Sequence, residues 1–275
     1  MADAPILLTD DPAPHVRRIT LNRPAKRNAL SNALRAEIFA ALEDGDADPE
    51  VRVMIIRGAG TCFSSGYDLA GVGDLPWHTA GGQGQWARHV VDGCFRVWDL
   101  AKPVIAQVHG WCLAGGSELA VACDLVYVAE DAQIGYPAVR TMSPPDNHYH
   151  VWLMGMRAAM EQMLTGDSID GNEAVRLGFA NRAYALADLE PAVLAMAERI
   201  AKVDPELAQL NKRLVHRQME VMGMRQGIRA GTDLHALGWS TKASRDYMAK
   251  LREGVTAALS DRDGKFDDYR TGPKP

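Results

Sequence analysis

The chain has 275 residues, 47% of them apolar and 24% charged, with a net charge of −5 when histidine is neutral. This is the composition of a globular protein long enough to bury a core without disulfides or a structural metal. It excludes a disordered chain and argues against a general nucleic-acid binder, which is basic as a rule. No apolar run reaches the roughly 18 residues of a membrane span, because Gln107, His109 and Asp124 interrupt the best stretch. The start, MADAPILLTDD, has no basic segment followed by an apolar one, so no signal peptide is expected. Cys62, Cys94, Cys112 and Cys123 form no CxxC pair and fit reduced thiols in a cytoplasmic protein.

In chain order, residues 15–21 and 51–57 are β-branched, are bounded by Pro, Gly or Asp, and predict strands. Between them Leu30, Leu34, Ile38 and Leu42 recur at helical spacing, with Ser31 as the candidate N-cap. Residues 71–85 hold five glycines, a proline and Trp77, and predict a loop, either a lid over a pocket or a plain surface connection. A strand over 103–108, a short helix over 115–123 and a strand over 125–129 follow. After about residue 146 the strand signals fade. Helical patterns cover 151–165, 171–177, 187–203, 205–224 and 242–259, with Asp204-Pro205 as a start signal and Gly178 as a stop. The expectation is an α/β body followed by an all-helical C-terminal portion. No internal sequence repeat is visible.

Two glycine-containing segments carry the chemistry. One is Phe63-Ser64-Ser65-Gly66-Tyr67-Asp68-Leu69. The other runs from His109 to Ala120 and includes Gly115-Gly116 and Glu118. Neither is a dinucleotide or Walker loop. Two glycines opening a helix leave backbone N–H groups at its positive end, a place for developing negative charge, and Glu118 lies about one turn further on. That is a general acid/base beside an oxyanion hole. The alternative is that the glycines serve close packing and Glu118 caps the helix.

Five ordered segments resemble the crotonase (enoyl-CoA hydratase/isomerase) superfamily: ITLNRPAKRNALS at 19–31, CFSSGYDL at 62–69, KPVIAQVHGWCLAGGSELAVACDLVYVAEDAQIGYP at 102–137, LTGDSIDGNEAVRLGFANR at 164–182 and EGVTAALSDRDGKF at 253–266. The resemblance implies a spiral of ββα units over 1–200 and a helical oligomerisation region over 201–275, assembled as a trimer or a hexamer. It implies an acyl-CoA thioester substrate, with coenzyme A as part of that substrate and no separate cofactor. By motif position the Tyr67 and Gly115 N–H groups would hold the thioester oxygen, and Glu118 would be the acid/base. The coenzyme would lie along Ala29, Ser64, Gly66, Asp68 and Leu69, with Lys26 and Arg27 near its phosphates.

The pattern departs in one place. Hydratases of this family carry a second glutamate after the proline of Gly135-Tyr136-Pro137, where this chain has Ala138. Asp146, eight residues on, falls where dienoyl-CoA isomerases of the family carry a proton-shuttling aspartate. It could instead cap the helix that follows. The run Asp146-x-His148-x-His150 invites a metal reading, but i and i+2 do not share a helix face, no further ligand cluster is evident, and no metal is expected. Tyr67 is bulky where the family often has Ala, so its ring would narrow the acyl site. Hydration of a 2-enoyl-CoA is the leading expectation. Isomerisation through Asp146, acyl-CoA binding with little turnover, and thioester hydrolysis are the rivals. Neither nucleic acid nor membrane is an expected partner.

Overall fold

The computed structural model describes residues 4–69 and 74–267. The chain opens with β1 (Leu7–Ala13) and β2 (Val16–Leu21), an antiparallel pair, followed by α1 (Asn32–Ala47) and β3 (Val53–Gly58). Ser31 caps α1 as its sequence suggests, its side chain accepting from the Leu34 N–H at 3.2 Å. Next come α2 (Gln85–Asp99), β4 (Val104–Val108), β5 (Trp111–Leu113), α3 (Gly115–Ala122), β6 (Leu125–Ala129) and β7 (Gln133–Gly135). The chain continues with α4 (His150–Thr165), α5 (Gly171–Leu177), β8 (Arg182–Tyr184) and α6 (Leu186–Ala201). Four helices close it: α7 (Pro205–Val221), α8 (Met224–Trp239), α9 (Lys242–Glu253) and α10 (Val255–Asp263).

The main sheet has the order β1-β2-β3-β4-β6-β8, parallel after the first pair, while β5 and β7 form a second, small sheet. A bridge between Ser64 and Cys112 extends that small sheet by one position. Each turn of the chain therefore lays one strand in the main sheet, one extended segment in the small sheet, and then a helix. The sequence β3, Ser64, α2 is one turn, β4, β5, α3 the next, and β6, β7, α4 the third. This is a spiral of ββα units repeated in space with no repeated sequence. The central strands β3 and β4 are buried on both faces and read as continuous apolar runs, as parallel strands covered on two sides do.

Several expectations need correction. β1, β5, β7 and β8 were not foreseen, and β8 pairs with β6 well beyond residue 146, so the α/β body does not stop there. Helices α2 and α8 were not foreseen either. Both are strongly amphipathic, but that signal is masked by glycines, Gly93 in α2 and Gly227, Gly231 and Gly238 in α8, which lower the helix propensity of each segment. The predicted helix over 242–259 breaks at Gly254, and α4 contains a non-helical Gly155 at φ 74. Part of the predicted 71–85 loop lies outside the described residues. From 74 to 84 it is irregular, and it packs inward through Trp77, whose ring stacks on His89 at 3.9 Å and meets Phe39 edge-on at 4.8 Å. All four cysteines are buried free thiols, and no helix among the described residues is long and apolar enough to cross a membrane.

Candidate active site

The segment from 22 to 31 turns sharply because Arg27 and Asn28 both take left-handed backbone conformations. Asn28, fully buried, makes this turn a junction. Its amide donates to the Ala59 and Cys62 carbonyls, each at 2.8 Å, and its oxygen accepts from the Arg23 N–H. The junction holds residues 62–67 against the start of α3. The Leu30 N–H donates to the Gly66 carbonyl and the Asp68 N–H to the Leu30 carbonyl. On a strand the intervening Tyr67 N–H must then point the other way, toward α3.

Helix α3 begins under strain. Its N-cap residue, Ala114, sits at φ 47 and ψ −121, a conformation that L residues rarely adopt. Gly115 is the first helical residue, so its N–H has no intrahelical acceptor. Among the described residues neither the Tyr67 nor the Gly115 N–H has a hydrogen-bond partner. A Cβ on Gly66 would come within 3.4 Å of the Gly115 nitrogen, so the two donors lie close together. The glycine pair is closely packed. A Cβ on Gly116 would strike the Ser64 carbonyl oxygen at 2.7 Å, and one on Gly115 would strike the Tyr67 ring at 2.6 Å. Packing demands glycine, and the same packing leaves the Gly115 N–H bare beneath the Tyr67 ring.

Glu118 lies one turn into α3 and is fully buried. Tyr67 Oη donates to its Oε2 at 2.7 Å, and the Asn147 N–H donates to its Oε1 at 3.1 Å. Asp146 is 2% exposed and does not cap α4. The N-cap position of that helix is Tyr149, with no side-chain cap. Tyr136 Oη donates to Asp146 Oδ2 at 3.3 Å, and His235 Nε2 of α8 lies 3.1 Å from Oδ1. The ring state of His235 follows from its neighbours. Nδ1 faces the Pro144 carbonyl at 3.0 Å and so carries the proton, while Nε2 accepts the Trp239 indole N–H at 2.5 Å. The neutral ring therefore offers Asp146 Oδ1 no N–H, and that oxygen has no donor. Burial lowers the His235 pKa, which keeps the ring neutral.

Burial raises the pKa of both carboxyls. Glu118 is pushed up to about 8, first by desolvation and then by the negative charge of Asp146, while its bond from Tyr67 pulls the other way. Asp146 is pushed up to about 7 by desolvation, opposed by Tyr136 and by the positive charge of Arg35. Two carboxyls in one dry pocket titrate as a pair, and near neutral pH the pair retains about one proton. Ala138 sits in a 3-10 turn, Pro137–Arg140, and carries no group that moves a proton.

The residues expected along the coenzyme run from exposed Lys26 and Arg27 to buried Ser64 and Gly66. Lys26 and Arg27 are exposed at the turn, and among the described residues neither forms an ion pair. Ala29 and Asp68 are both tied to Arg23, the aspartate by an ion pair of 2.9 Å. Leu69 is half-buried and packs on the cluster of Tyr247, Leu251 and Ala258 from α9 and α10. Ser64 is fully buried. Its N–H, carbonyl and hydroxyl are engaged by Trp111, Leu113, Asn28 and Gly66, so it shapes the loop. His148 and His150 do not meet Asp146 as a ligand set, and no cluster of three metal-ligating side chains occurs among the described residues. His150 faces the Tyr136 ring edge-on at 6.4 Å. The sequence reading had missed Tyr136, the Asn147 N–H, His235 and Arg35. Tyr136 stood inside a motif and Asn147 inside the run Asp146-x-His148-x-His150, while His235 and Arg35 stood in neither.

The enoyl-CoA hydratase/isomerase family model matches residues 13–269. The mitochondrial enoyl-CoA hydratase of Pongo abelii is 30% identical over 257 residues, covering 91% of this chain and 83% of that protein. A crystal structure of an enoyl-CoA hydratase/isomerase from Xanthobacter autotrophicus Py2 superposes with a TM-score of 0.85 at 33% identity, covering 97% of this chain and 100% of the other. A monofunctional enoyl-CoA isomerase from Mycobacterium smegmatis matches with a TM-score of 0.64 at 27% identity, over 78% and 94% of the two chains. The ββα spiral is thus the crotonase fold, and the chain belongs to the enoyl-CoA hydratase/isomerase family.

Proposed function

We propose that the protein hydrates a 2-enoyl-CoA thioester, with Glu118 and Asp146 as its two carboxyls. The observation that carries this reading is the pair itself: two buried carboxyls of raised pKa beside two unoccupied backbone N–H donors. The thioester oxygen accepts from the Tyr67 and Gly115 N–H groups. The ionised member of the pair takes a proton from water as the water oxygen bonds to C3. The π electrons move onto the thioester oxygen as an enolate, which the two amides stabilise, each donor lowering the barrier by about 3 kcal/mol in a dry site. The protonated member then gives its proton to C2, and the carbonyl re-forms. One carboxyl ends protonated and one ionised with their states exchanged, and passage of a proton between them resets the pair for another turnover. Asp146 fills the role left open at Ala138. Lys26 and Arg27 face the phosphates of the coenzyme, and its remainder lies along Ala29, Gly66, Asp68 and Leu69.

The test is incubation with crotonyl-CoA, read by mass spectrometry of the thioester. Gain of one water, abolished in Glu118→Gln and in Asp146→Asn, is the expected result. An unchanged thioester mass overturns hydration.

One observation favours a second reading, double-bond isomerisation. Both oxygens of Glu118 already accept a hydrogen bond, whereas Oδ1 of Asp146 has no donor. An isomerase needs one base to move a proton between carbons and no bound water. Conversion of a 3-enoyl-CoA at constant mass, lost in Asp146→Asn but surviving Glu118→Gln, would select this reading.

A further inference from the structure

The two carboxyls of the site meet unequal neighbours. Glu118 has a donor on each oxygen, the Tyr67 hydroxyl at 2.7 Å on Oε2 and the Asn147 N–H at 3.1 Å on Oε1. Asp146 has the Tyr136 hydroxyl at a longer 3.3 Å on Oδ2 and no donor on Oδ1. Tyr136 also feels the charge of Glu118. Donors that hydrogen-bond to a carboxylate favour its charged form. On that count Glu118 is the better home for the negative charge.

His235 acts in the same direction. Its ring is fixed at both nitrogens. Nδ1 gives its proton to the Pro144 carbonyl at 3.0 Å, and Nε2 accepts the Trp239 indole N–H at 2.5 Å. A protonated Nε2 would set two N–H groups against each other at that distance, so this nitrogen presents a lone pair. Asp146 Oδ1 lies 3.1 Å from it, and the two side chains are only 2% and 4% exposed. An ionised Oδ1 would face the lone pair in a dry setting. A protonated Oδ1 reverses the contact, because its O–H points at Nε2 and shares that acceptor with the indole. The opposing influence on Asp146 is the positive charge of Arg35, felt through space.

We propose that His235 is a positioning residue that keeps the single proton of the pair on Asp146, at Oδ1. This rests on the two-carboxyl reading above and divides its labour. Glu118, ionised, takes the proton from water, and Asp146 gives its own to C2. After each turnover the neutral ring of His235 draws the proton back to Asp146. The residue stands on α8, outside every segment that carries the family resemblance.

Infrared spectroscopy of the full chain tests this. Ordinary carboxyls are ionised above about pH 6 and the pair loses its last proton at about pH 8, so the difference spectrum between about pH 6 and about pH 10 isolates the C=O stretch of the protonated carboxyl. Labelling every aspartate with 13C at the side-chain carboxyl is expected to move this band to lower frequency, and the same label in glutamate to leave it in place. A band that moves only with the glutamate label overturns the proposal, as does the absence of any band. In His235→Leu the band is expected to shift, because the O–H has lost its acceptor. Trp239→Phe serves if that variant does not fold. It leaves Nε2 to the carboxyl alone and is expected to lower the band frequency. A band unmoved in these variants overturns the role of His235. A glutamate-borne band together with water gain by crotonyl-CoA strikes the proton placement alone, whereas an aspartate-borne band without water gain strikes hydration alone.

Discussion

The two carboxyls feel each other's charge but are held in opposite ways. Glu118 stands on a helix whose eight residues are all buried, and its partners come from the adjoining chain crossings at Tyr67 and Asn147. Asp146 stands on an irregular stretch between a 3-10 turn and α4, and one side of it faces His235 and Trp239 from a helix about ninety residues later. The first carboxyl is positioned by its own element. The second depends on the C-terminal helices, so changes in α8 should reach the chemistry while changes in α6 should not.

The sharpest break of this comparison is Glu118→Gln. It keeps the shape and the acceptor for Tyr67 but removes the proton site, and hydration of crotonyl-CoA should fall by about 10² to 10⁴ in kcat. Asp146→Asn should cost about as much in a hydratase. It should also change stability in a pH-dependent way. Both carboxyls have folded pKa values above their ordinary ones, so between about pH 4 and pH 8 the native state binds more protons than the unfolded chain. Stability contributed by these groups therefore falls as pH rises through that window. Relative to wild type, Asp146→Asn should gain melting temperature from pH 4 to pH 7, and a constant difference would contradict the upward shift. In the wild type, kcat should decline as pH rises through about 8, where the pair loses its remaining proton.

His235→Gln tests the reach of α8. It removes the ring N–H bonded to the Pro144 carbonyl, two residues before Asp146, and should lower kcat by about tenfold through a shift of that stretch, with KM little changed and the pH profile displaced. A drop in melting temperature with an unmoved pH profile would reduce His235 to a packing role. Tyr67→Phe should have the smallest effect. It removes a hydrogen bond that lowers the Glu118 pKa, so the alkaline limb of the profile should move to higher pH.

The sequence was most informative where one short segment carries both geometry and chemistry. Ser31, Gly66, Gly115-Gly116 and Glu118 declare a cap, a close approach and an acid within a few residues of their partners. It was least informative where a partner arrives from elsewhere. Nothing local distinguishes His235 from an ordinary helix residue, and its helix, though amphipathic, was itself unforeseen because Gly227, Gly231 and Gly238 lower its helix propensity. Strands β5, β7 and β8 have three residues each, too short to show alternation, and they exist because neighbours offer an edge. Arg35 lay at a position that α1 periodicity assigns beside Leu34, and its burial shows only when the rings of Tyr67, Trp77 and Trp86 close around it.

The strand order of the main sheet follows the order of the chain, with only the small-sheet members omitted. Each parallel strand is laid beside the one before it, but α6 packs across β1, β2, β3, β4, β6 and β8, so the face of the early turns is covered only once residues 186–201 have been made. On that timetable the Tyr67 and Gly115 N–H groups and Glu118 come together before α8 is made, while Asp146 waits for that helix to dock. On the roles proposed above, a chain shortened after α6 would hold the groups that grip a thioester without the helix that packs beside Asp146, and competence would mark completion of the chain.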